Sequence, residues 1–137
     1  SETGLQAVSQ QEMSEFPIKT VFGCREVLVN ILIADSENRQ NVHSLFSHSV
    51  VDYDRIIGKL FLRCRHEGDY MHPSGRGVGK SLKKLMNEWR IPEHLRDTYP
   101  VFCDDVGVVL VPGYACDERA AITQNTKHYL VCQLSEV

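Results

Sequence analysis

A glycine-rich loop followed directly by a short apolar stripe is the feature that most restricts how this chain can fold. Residues 70–79 contain one proline and three glycines, which predicts a loop. Because proline disfavours helical geometry in the residue before it, Ile91-Pro92 should end the helix that follows, and Pro92 can begin another helix that runs to about Thr98. The segment therefore predicts two short helices joined at a proline corner. The first would be capped by Ser81 and has apolar residues at the i, i+3, i+4 and i+7 positions: Leu82, Leu85, Met86 and Trp89.

Stretches of β-forming residues flank these helices on both sides. Glu26–Ala34 places Val27, Val29, Ile31 and Ile33 on one side of a predicted strand, and the polar Ser36–Asn41 predicts a turn after it. The order strands, helices, strands predicts an α+β fold with a small mixed-strand sheet or sandwich-like core, rather than a parallel βαβ repeat. The other predicted strands are Lys59–His66, Val101–Cys103, Val106–Val111 and His128–Leu134.

The length of 137 residues suits one domain with its own core. Its 42% hydrophobic and 24% charged residues are typical of a globular protein, and no stretch has the roughly 18 apolar residues of a membrane-spanning helix. The polar, acidic N-terminus lacks the basic start and apolar run of a signal peptide. We therefore expect a polar leader or linker at residues 1–17, a single domain at residues 18–137, a cytoplasmic location and no membrane partner.

Five cysteines are scattered along the chain without a C-x-x-C pair, which favours reduced thiols over a disulfide framework. Cys64 and His66 would share one face of a strand, but no second pair at ligand spacing completes a metal site. Cys103 has no base nearby in sequence that would activate it as a nucleophile. The residues thus predict neither a metal site nor a catalytic residue.

The net charge of −3 hides an uneven distribution of charge. Residues 59–96 carry nine basic and four acidic side chains, a net charge of +5, whereas the rest of the chain sums to −8. This pattern is expected when one face of a protein meets a polyanion and its other faces avoid it. A solvated, charged surface would give the same composition, so the charges alone leave both interpretations open.

The segment Ser74–Ser81 (SGRGVGKS) comes within one residue of the P-loop pattern G-x-x-x-x-G-K-[ST], because Ser74 stands where the first glycine belongs. A P-loop follows a buried strand directly, and Asp69–Pro73 is not a candidate for one. The same segment also suits contacts to an RNA backbone, since a glycine loop before a helix exposes N–H groups to phosphate. Four basic side chains would add positive charge there: Arg76, Lys80, Lys83 and Lys84.

The run Leu62–Pro100 resembles the C-terminal domain of bacterial tRNA(Ile)-lysidine synthetases. That family shows an arginine-bearing strand, Gly-Asp, a Pro-x-Gly loop, a Lys-x-Leu-Lys-Lys-type helix, Ile-Pro, and an arginine shortly before a proline. Several ordered elements are more specific than one short motif. The counterparts in this chain are Arg63 and Arg65, Gly68-Asp69, Pro73-Ser74-Gly75, Lys80–Leu85, Ile91-Pro92, Arg96 before Pro100, and the later strand and turn Val109–Gly113.

The resemblance implies a PheT/TilS-like domain that contacts the acceptor stem of tRNA(Ile), while a separate N-terminal catalytic domain works at the anticodon. The whole enzyme would be an ATP-dependent ligase that attaches lysine to the wobble cytidine, a tRNA modification. The family's ATP-pyrophosphatase signature, Ser-Gly-Gly-x-Asp-Ser, does not occur in these residues. The chain is therefore expected to be a non-catalytic C-terminal fragment without a cofactor of its own, with ATP and Mg²⁺ belonging to the catalytic domain.

The resemblance also suggests which residues act. Asp69 is expected to fix the loop by accepting N–H bonds, together with Gly68, Pro73 and Gly75. Trp89 is expected in the core because it completes the apolar stripe. Tyr70 departs from the family, in which many members carry a basic residue. The candidates for tRNA contact are Arg63, Arg65, Arg76, Lys80, Lys83, Lys84, Arg90 and Arg96, the last two of which could instead pair internally with Glu93 or Asp97.

Two alternatives from other classes remain. One is a P-loop-like nucleotide-binding protein, which would lose nucleotide on replacement of Lys80. The other is a protein-docking domain with no RNA affinity of its own.

Overall fold

The computed structural model describes residues 10–136, in which antiparallel strands predominate and three short helices connect them. The strands are β1 (Gln11–Glu12), β2 (Ile18–Phe22), β3 (Arg25–Ile33), β4 (Val50–Asp52), β5 (Phe61–Arg63), β6 (Tyr70–Met71), β7 (Lys80–Ser81), β8 (Val101–Cys103), β9 (Val108–Val111), β10 (Ala115–Cys116) and β11 (His128–Glu136). The helices are α1 (Ser36–Ser44), α2 (Leu82–Glu88) and α3 (Glu93–Arg96), with 3₁₀ turns at Tyr53–Arg55 and Glu118–Ala120. This composition confirms the predicted α+β class.

Two larger sheets and one small hairpin organise the strands. A five-stranded sheet has the order β1-β5-β8-β9-β10, a four-stranded sheet has the order β2-β3-β11-β4, and β6 pairs with β7. Within residues 10–136 every strand pairing is antiparallel. The longest pairing joins all nine residues of β3 to all nine of β11.

The main core lies between the two larger sheets, as expected for a sandwich. The four-stranded sheet contributes Phe22, Val27, Val29 and Leu130, and the five-stranded sheet contributes Leu62, Phe102 and Leu110. Val27 and Val29 are fully buried, whereas Ile33, predicted on the same side of β3, is 68% exposed. The buried face therefore covers only the first part of that strand. Each fully buried aliphatic side chain stabilises the fold by about 1.5 to 3 kcal/mol.

The two helices and the proline corner form as the sequence predicts. The Ser81 hydroxyl caps α2 by accepting a hydrogen bond from the Lys84 N–H at 3.2 Å. Pro92 is the N-cap of α3, which ends at Arg96 rather than Thr98. The stripe on α2 packs into a second core cluster that closes one side of the five-stranded sheet: Leu82, Leu85 and Met86 with Ile91, Tyr99, Val101, Val108 and Val111.

The turn predicted at Ser36–Asn41 is wrong, because these residues form the first part of α1. Asp35 caps this helix by accepting a hydrogen bond from the Asn38 N–H at 2.8 Å. Val42 is the buried residue of α1, and it packs with Phe46 against the outer face of the four-stranded sheet. A helix anchored by a single apolar residue has no stripe from which it could be predicted.

The strand predicted at Lys59–His66 is also shorter in the structure, where β5 ends at Arg63. A tight turn follows, since the His66 N–H donates to the Asp69 carboxylate at 2.7 Å and the Asp69 N–H donates to the His66 carbonyl at 3.1 Å. Alternation predicted that Arg63 and Arg65 share one face of this strand, but only Arg63 lies within β5.

Part of the predicted leader belongs to the domain. Gln11 pairs with Leu62 at the edge of the five-stranded sheet, and Met13 is buried in the main core. The boundary expected at residue 17 therefore lies further towards the N-terminus, while residues 1–9 of the predicted leader lie outside the described residues.

The described residues contain no helix long and apolar enough to cross a membrane. Nor does any group of three or more His, Cys, Asp and Glu side chains within residues 10–136 lie together as metal ligands would. Cys103 and Cys132 are core residues, and burial raises the pKa of each thiol to about 12. A thiol held in its protonated form is a poor nucleophile.

The carboxylate of Asp104 joins three segments of the sandwich edge. Its side chain is fully buried and accepts two hydrogen bonds from the Arg119 guanidinium, at 2.8 and 2.7 Å. It also accepts backbone N–H bonds from Ile57, Val106 and Gly107. Burial by itself would raise the pKa of Asp104, but these donors outweigh it and hold the pKa below its ordinary value.

Replacing Asp104 by asparagine should therefore lower the free energy of unfolding by about 2 to 4 kcal/mol at neutral pH. Because the folded-state pKa is depressed, the contribution of this charge is present above roughly pH 4 and is lost as the pH falls further. Urea unfolding at a series of pH values should show that acid destabilises the Asp104→Asn variant less than the wild type. Glu118→Gln, at an exposed carboxylate on the neighbouring turn, is the control; equal losses in the two variants would contradict the assignment.

Candidate nucleic-acid interface

The glycine loop, residues 72–79, is held between β6 and β7 and is tied to the sheet behind it. The Ser74 N–H donates to the Cys116 carbonyl at 3.0 Å, and Pro73 forms a β-bridge with Asp117. Gly75 has a φ of 83°, in the left-handed region that glycine adopts without strain. Pro73 and Gly75 thus lie in an ordered loop of the kind that the sequence predicts.

The same geometry differs from that of a P-loop. The strand before the loop is the two-residue β6, which pairs antiparallel with β7 instead of lying in a buried parallel sheet. A Cβ on Gly79 would clash with the ring of Tyr70, so this glycine permits close packing of the hairpin. Lys80, at the end of the loop, donates a hydrogen bond to Glu88 at 2.6 Å.

The guanidinium group of Arg63 is bound to another side chain of the fold, Asp69. Its two terminal nitrogens donate to the two carboxylate oxygens of Asp69 at 2.8 and 3.0 Å, and each side chain is only 12% exposed. Burial by itself would raise the pKa of Asp69, but Arg63 and the His66 N–H lower it below its ordinary value. Asp69 therefore fixes the turn after β5. Its donors are Arg63 and the His66 N–H, and not the N–H groups of the glycine loop that the sequence predicted. Gly68, with a φ of 88°, completes that turn.

Arg65 lies in a more open setting. Among residues 10–136 it forms an ion pair with Asp97, at 3.4 Å, and the Asp97 side chain is 74% exposed. Arg65, Ser81 and Lys83 line a cleft of about 410 Å³ beside the turn at residues 66–69. Arg65 and Lys83 therefore line one opening, although Asp69 and Asp97 also line it.

Glu88 forms ion pairs with two other candidates for tRNA contact, Arg76 and Lys80. It accepts from Arg76 at 3.2 Å and from Lys80 at 2.6 Å, so one carboxylate brings the glycine loop, β7 and the end of α2 together. The bond from Lys80, followed by that from Arg76, lowers the pKa of Glu88 below its ordinary value. Exposed ion pairs of this kind are weak, so both cations can turn towards a stronger anion.

The remaining candidates divide into exposed and internal ones. Lys83, Lys84 and Arg90 are exposed, and no ion pair within residues 10–136 includes them. Arg96 donates to the Ile91 carbonyl at 2.7 Å and to the Asn87 side chain at 2.6 Å, which braces the proline corner. Its partners are thus neither Glu93 nor Asp97.

Trp89 combines a core role with a position at a second cleft. It is half-buried and packs against the cluster beneath α2, as the apolar stripe predicts. It also stacks on Tyr114, with ring centroids 5.2 Å apart and ring planes 20° apart. Nothing in the sequence singles out Tyr114, because it lies after a turn and pairs with Trp89 only through the tertiary fold.

The two arginines of the 63–65 segment should respond differently to replacement by lysine. Arg63→Lys should lower the free energy of unfolding by about 1.5 to 3 kcal/mol, since lysine cannot make the two parallel bonds to Asp69. Arg65→Lys is the matched control and should cost less than about 1 kcal/mol. Urea denaturation measures both values, and similar losses would show that Arg63 is not the internal arginine.

Comparisons with known proteins identify the family of this chain. Residues 60–133, more than half of the chain, match the family model described as the TilS substrate C-terminal domain. The tRNA(Ile)-lysidine synthase of Clostridium tetani is 34% identical over 79 residues, which are 58% of this chain and 17% of that protein. The corresponding synthase of Caldanaerobacter subterraneus is 32% identical over 85 residues, which are 62% of this chain and 18% of that protein. The chain thus matches less than a fifth of the length of these relatives.

Two solved structures share the fold. A crystal structure of the TilS C-terminal domain superposes with a TM-score of 0.73 and 22% identity, covering 94% of this chain and 98% of that one. An N-terminal fragment of the phenylalanyl-tRNA synthetase β-subunit from Pyrococcus horikoshii gives a TM-score of 0.58 and 13% identity, covering 96% of this chain and 48% of that one. Family model, relatives and fold point the same way: the chain belongs to the TilS substrate C-terminal domain family, the C-terminal domain of tRNA(Ile)-lysidine synthases.

Proposed function

We propose that this domain binds the acceptor stem of tRNA(Ile), and that it serves a tRNA(Ile)-lysidine synthase whose catalytic domain lies elsewhere in the protein. Attachment of lysine to the wobble cytidine, with ATP and Mg²⁺, would then belong to that catalytic domain. Family membership supports the link to a tRNA-modifying ligase. The acceptor stem is the finer part of the proposal and rests on the surface of this chain.

One observation carries the proposal: Lys83 and Lys84 project from a helix that is locked into the core but form no ion pair among the described residues. Beneath them, Leu82, Leu85 and Met86 fix the helix. Two ammonium groups without an acidic partner in the described part of the chain, held on a fixed helix, suit contacts to the phosphate backbone of a duplex. A protein gains affinity for a duplex when its cations release the counterions condensed on the phosphates.

The neighbouring cations extend this surface on both sides. Arg65 shares a cleft with Lys83, while Arg76 and Lys80 are held by one exposed carboxylate that phosphate can displace. Arg90 adds a further exposed charge beyond α2. Arg63 and Arg96 do not enter the proposed interface, because their bonds hold the turn after β5 and the proline corner.

The residues here do not fit ATP or Mg²⁺. The loop that resembles a P-loop packs its last glycine against Tyr70, and it follows a two-residue antiparallel strand instead of a buried parallel one. The described residues also lack a cluster of three or more side chains of the metal-ligand types. These features support the proposal that ATP and Mg²⁺ are bound by the catalytic domain.

The double change Lys83→Ala/Lys84→Ala should weaken binding to an RNA hairpin that carries the tRNA(Ile) acceptor stem. If each lysine neutralises one phosphate, the slope of log K against log salt should become shallower by about 2. A salt series measured by fluorescence anisotropy, with a dye on the RNA, gives this slope. The control is Lys19→Ala/Lys127→Ala, at exposed lysines outside residues 59–96. If the wild type does not bind the hairpin at low salt, the proposal is wrong, and a protein-docking domain becomes the better explanation of this chain.

The change Glu88→Gln should strengthen binding to the same hairpin. Removing this carboxylate frees Arg76 and Lys80 for phosphate and removes a negative charge from the surface. We expect a gain of roughly fivefold at low salt. Glu93→Gln, at an exposed acid of the same basic region, is the matched control for simple loss of charge. A fall in affinity for Glu88→Gln would mean that the carboxylate positions the two cations instead of competing for them.

A further inference from the structure

A second cleft, of about 420 Å³, opens beside the proposed RNA-contacting surface. The stacked rings of Trp89 and Tyr114 form part of its lining, and Arg76, His43 and His48 also line it. Apolar residues such as Val50 and Ile122 complete it. It is therefore an aromatic and apolar opening with a few groups that can donate hydrogen bonds.

The charge of this cleft is complementary to an anion. Among the described residues that line it, none is acidic, whereas Glu67, Asp69 and Asp97 all line the cleft beside Lys83. Arg76 belongs both to the second cleft and to the cation pair that Glu88 holds. The second cleft is thus continuous with the proposed phosphate-contacting surface.

The walls of the cleft are held in place by backbone hydrogen bonds. The Gly113 N–H, one residue before Tyr114, donates to the His48 carbonyl and to the Ser49 hydroxyl, each at 2.9 Å. On the other side, the Ser74 N–H donates to Cys116 and fixes the start of the glycine loop. The aromatic pair itself is braced by Tyr99, whose ring meets Tyr114 edge-on at 5.6 Å. A site built in this way needs little ordering when a ligand binds.

We propose that this cleft binds an unpaired nucleotide that adjoins the RNA duplex, with the base against the Trp89–Tyr114 pair and the phosphate towards Arg76. The inference rests on the proposed function, because the duplex would place an unpaired end beside the cleft. Every base has an aromatic face, so stacking needs no particular sequence. A cleft of this volume admits one nucleotide but not a double helix.

The experiment uses Trp89, the only tryptophan of the chain, as its reporter. The fluorescence emission of Trp89 is recorded while the 137-residue chain is titrated with RNA. Three RNAs are compared: a blunt acceptor-stem hairpin, the same hairpin with an unpaired 3′ extension, and an isolated single-stranded trinucleotide. The proposal expects the extension and the trinucleotide to change the emission at saturation, and the blunt hairpin to leave it unchanged. The extension should also raise the affinity at least roughly fivefold over that of the blunt hairpin.

Two variants assign the effect to the cleft. Tyr114→Leu removes one ring of the pair, and His43→Ala/His48→Asn removes two donors at solvent-exposed positions. Asparagine is used at residue 48 because His48 has a φ of 61°, which asparagine tolerates. Each variant should abolish most of the gain from the extension while binding the blunt hairpin as the wild type does. Retention of the full gain in the folded double variant and in folded Tyr114→Leu would overturn the proposal.

Failure of the nucleotide site can be told apart from failure of the duplex interface. The trinucleotide tests the cleft without a duplex, and Lys83→Ala/Lys84→Ala should leave its effect on emission intact. If neither the extended hairpin nor the trinucleotide changes the Trp89 emission, the nucleotide assignment is overturned, whether or not the blunt hairpin binds. An emission that changes with protein concentration alone would instead show that a second copy of the chain covers the cleft.

Discussion

The nine-residue antiparallel ladder between β3 and β11 is the constraint on which the rest of the structure depends. It forms the centre of the four-stranded sheet and turns Val27, Val29 and Leu130 towards the opposite sheet. Its outer face receives α1 through Val42, which brings His43 and the segment that follows to the rim of the second cleft. The frame of the sandwich therefore also determines where an aromatic and basic surface can form.

The acids inside the basic region determine what each cation can do. Asp69 engages Arg63 with two short bonds in a nearly buried setting, and such a pair is costly to break. Glu88 engages Arg76 and Lys80 at the surface, where water and salt weaken the contact. The same residue types thus serve as a structural clamp in one place and as an exchangeable counterion in another. Burial makes the difference, and it separates the arginines that hold the fold from the cations proposed to meet RNA.

The sequence predicts the parts of the fold that local periodicity encodes. The stripe Leu82, Leu85, Met86 and Trp89, the Ser81 cap and the stop at Pro92 are all local, and α2, its cap and the proline corner are confirmed. α1 was not predicted, because a polar helix with one buried residue shows no hydrophobic periodicity in its sequence. β1 escaped it because two residues at an edge form a strand only when β5 is already beside them.

The partners of the charged residues were equally hard to foresee. Alternation placed Arg63 and Arg65 together, but β5 ends at Arg63, which binds Asp69, whereas Arg65 pairs with Asp97. The link from Lys80 to Glu88 exists because the hairpin brings β7 against the end of α2, and spacing alone does not predict it. The role of Tyr114 could not be predicted for the same reason, since its stacking partner Trp89 is the C-cap of α2, 25 positions earlier.

The pairing of β3 with β11 also bears on how the domain reaches its native state. Arg25 pairs with Glu136, so the central ladder joins segments about a hundred residues apart, and no local contact can form it early. Folding rates fall as the pairings of a domain join more distant segments, so this ladder favours slow folding. Until then β3 is an apolar strand with an open edge beside the exposed Leu28. During synthesis this edge stays unpaired until β11 has been made, and an unpaired apolar edge favours aggregation.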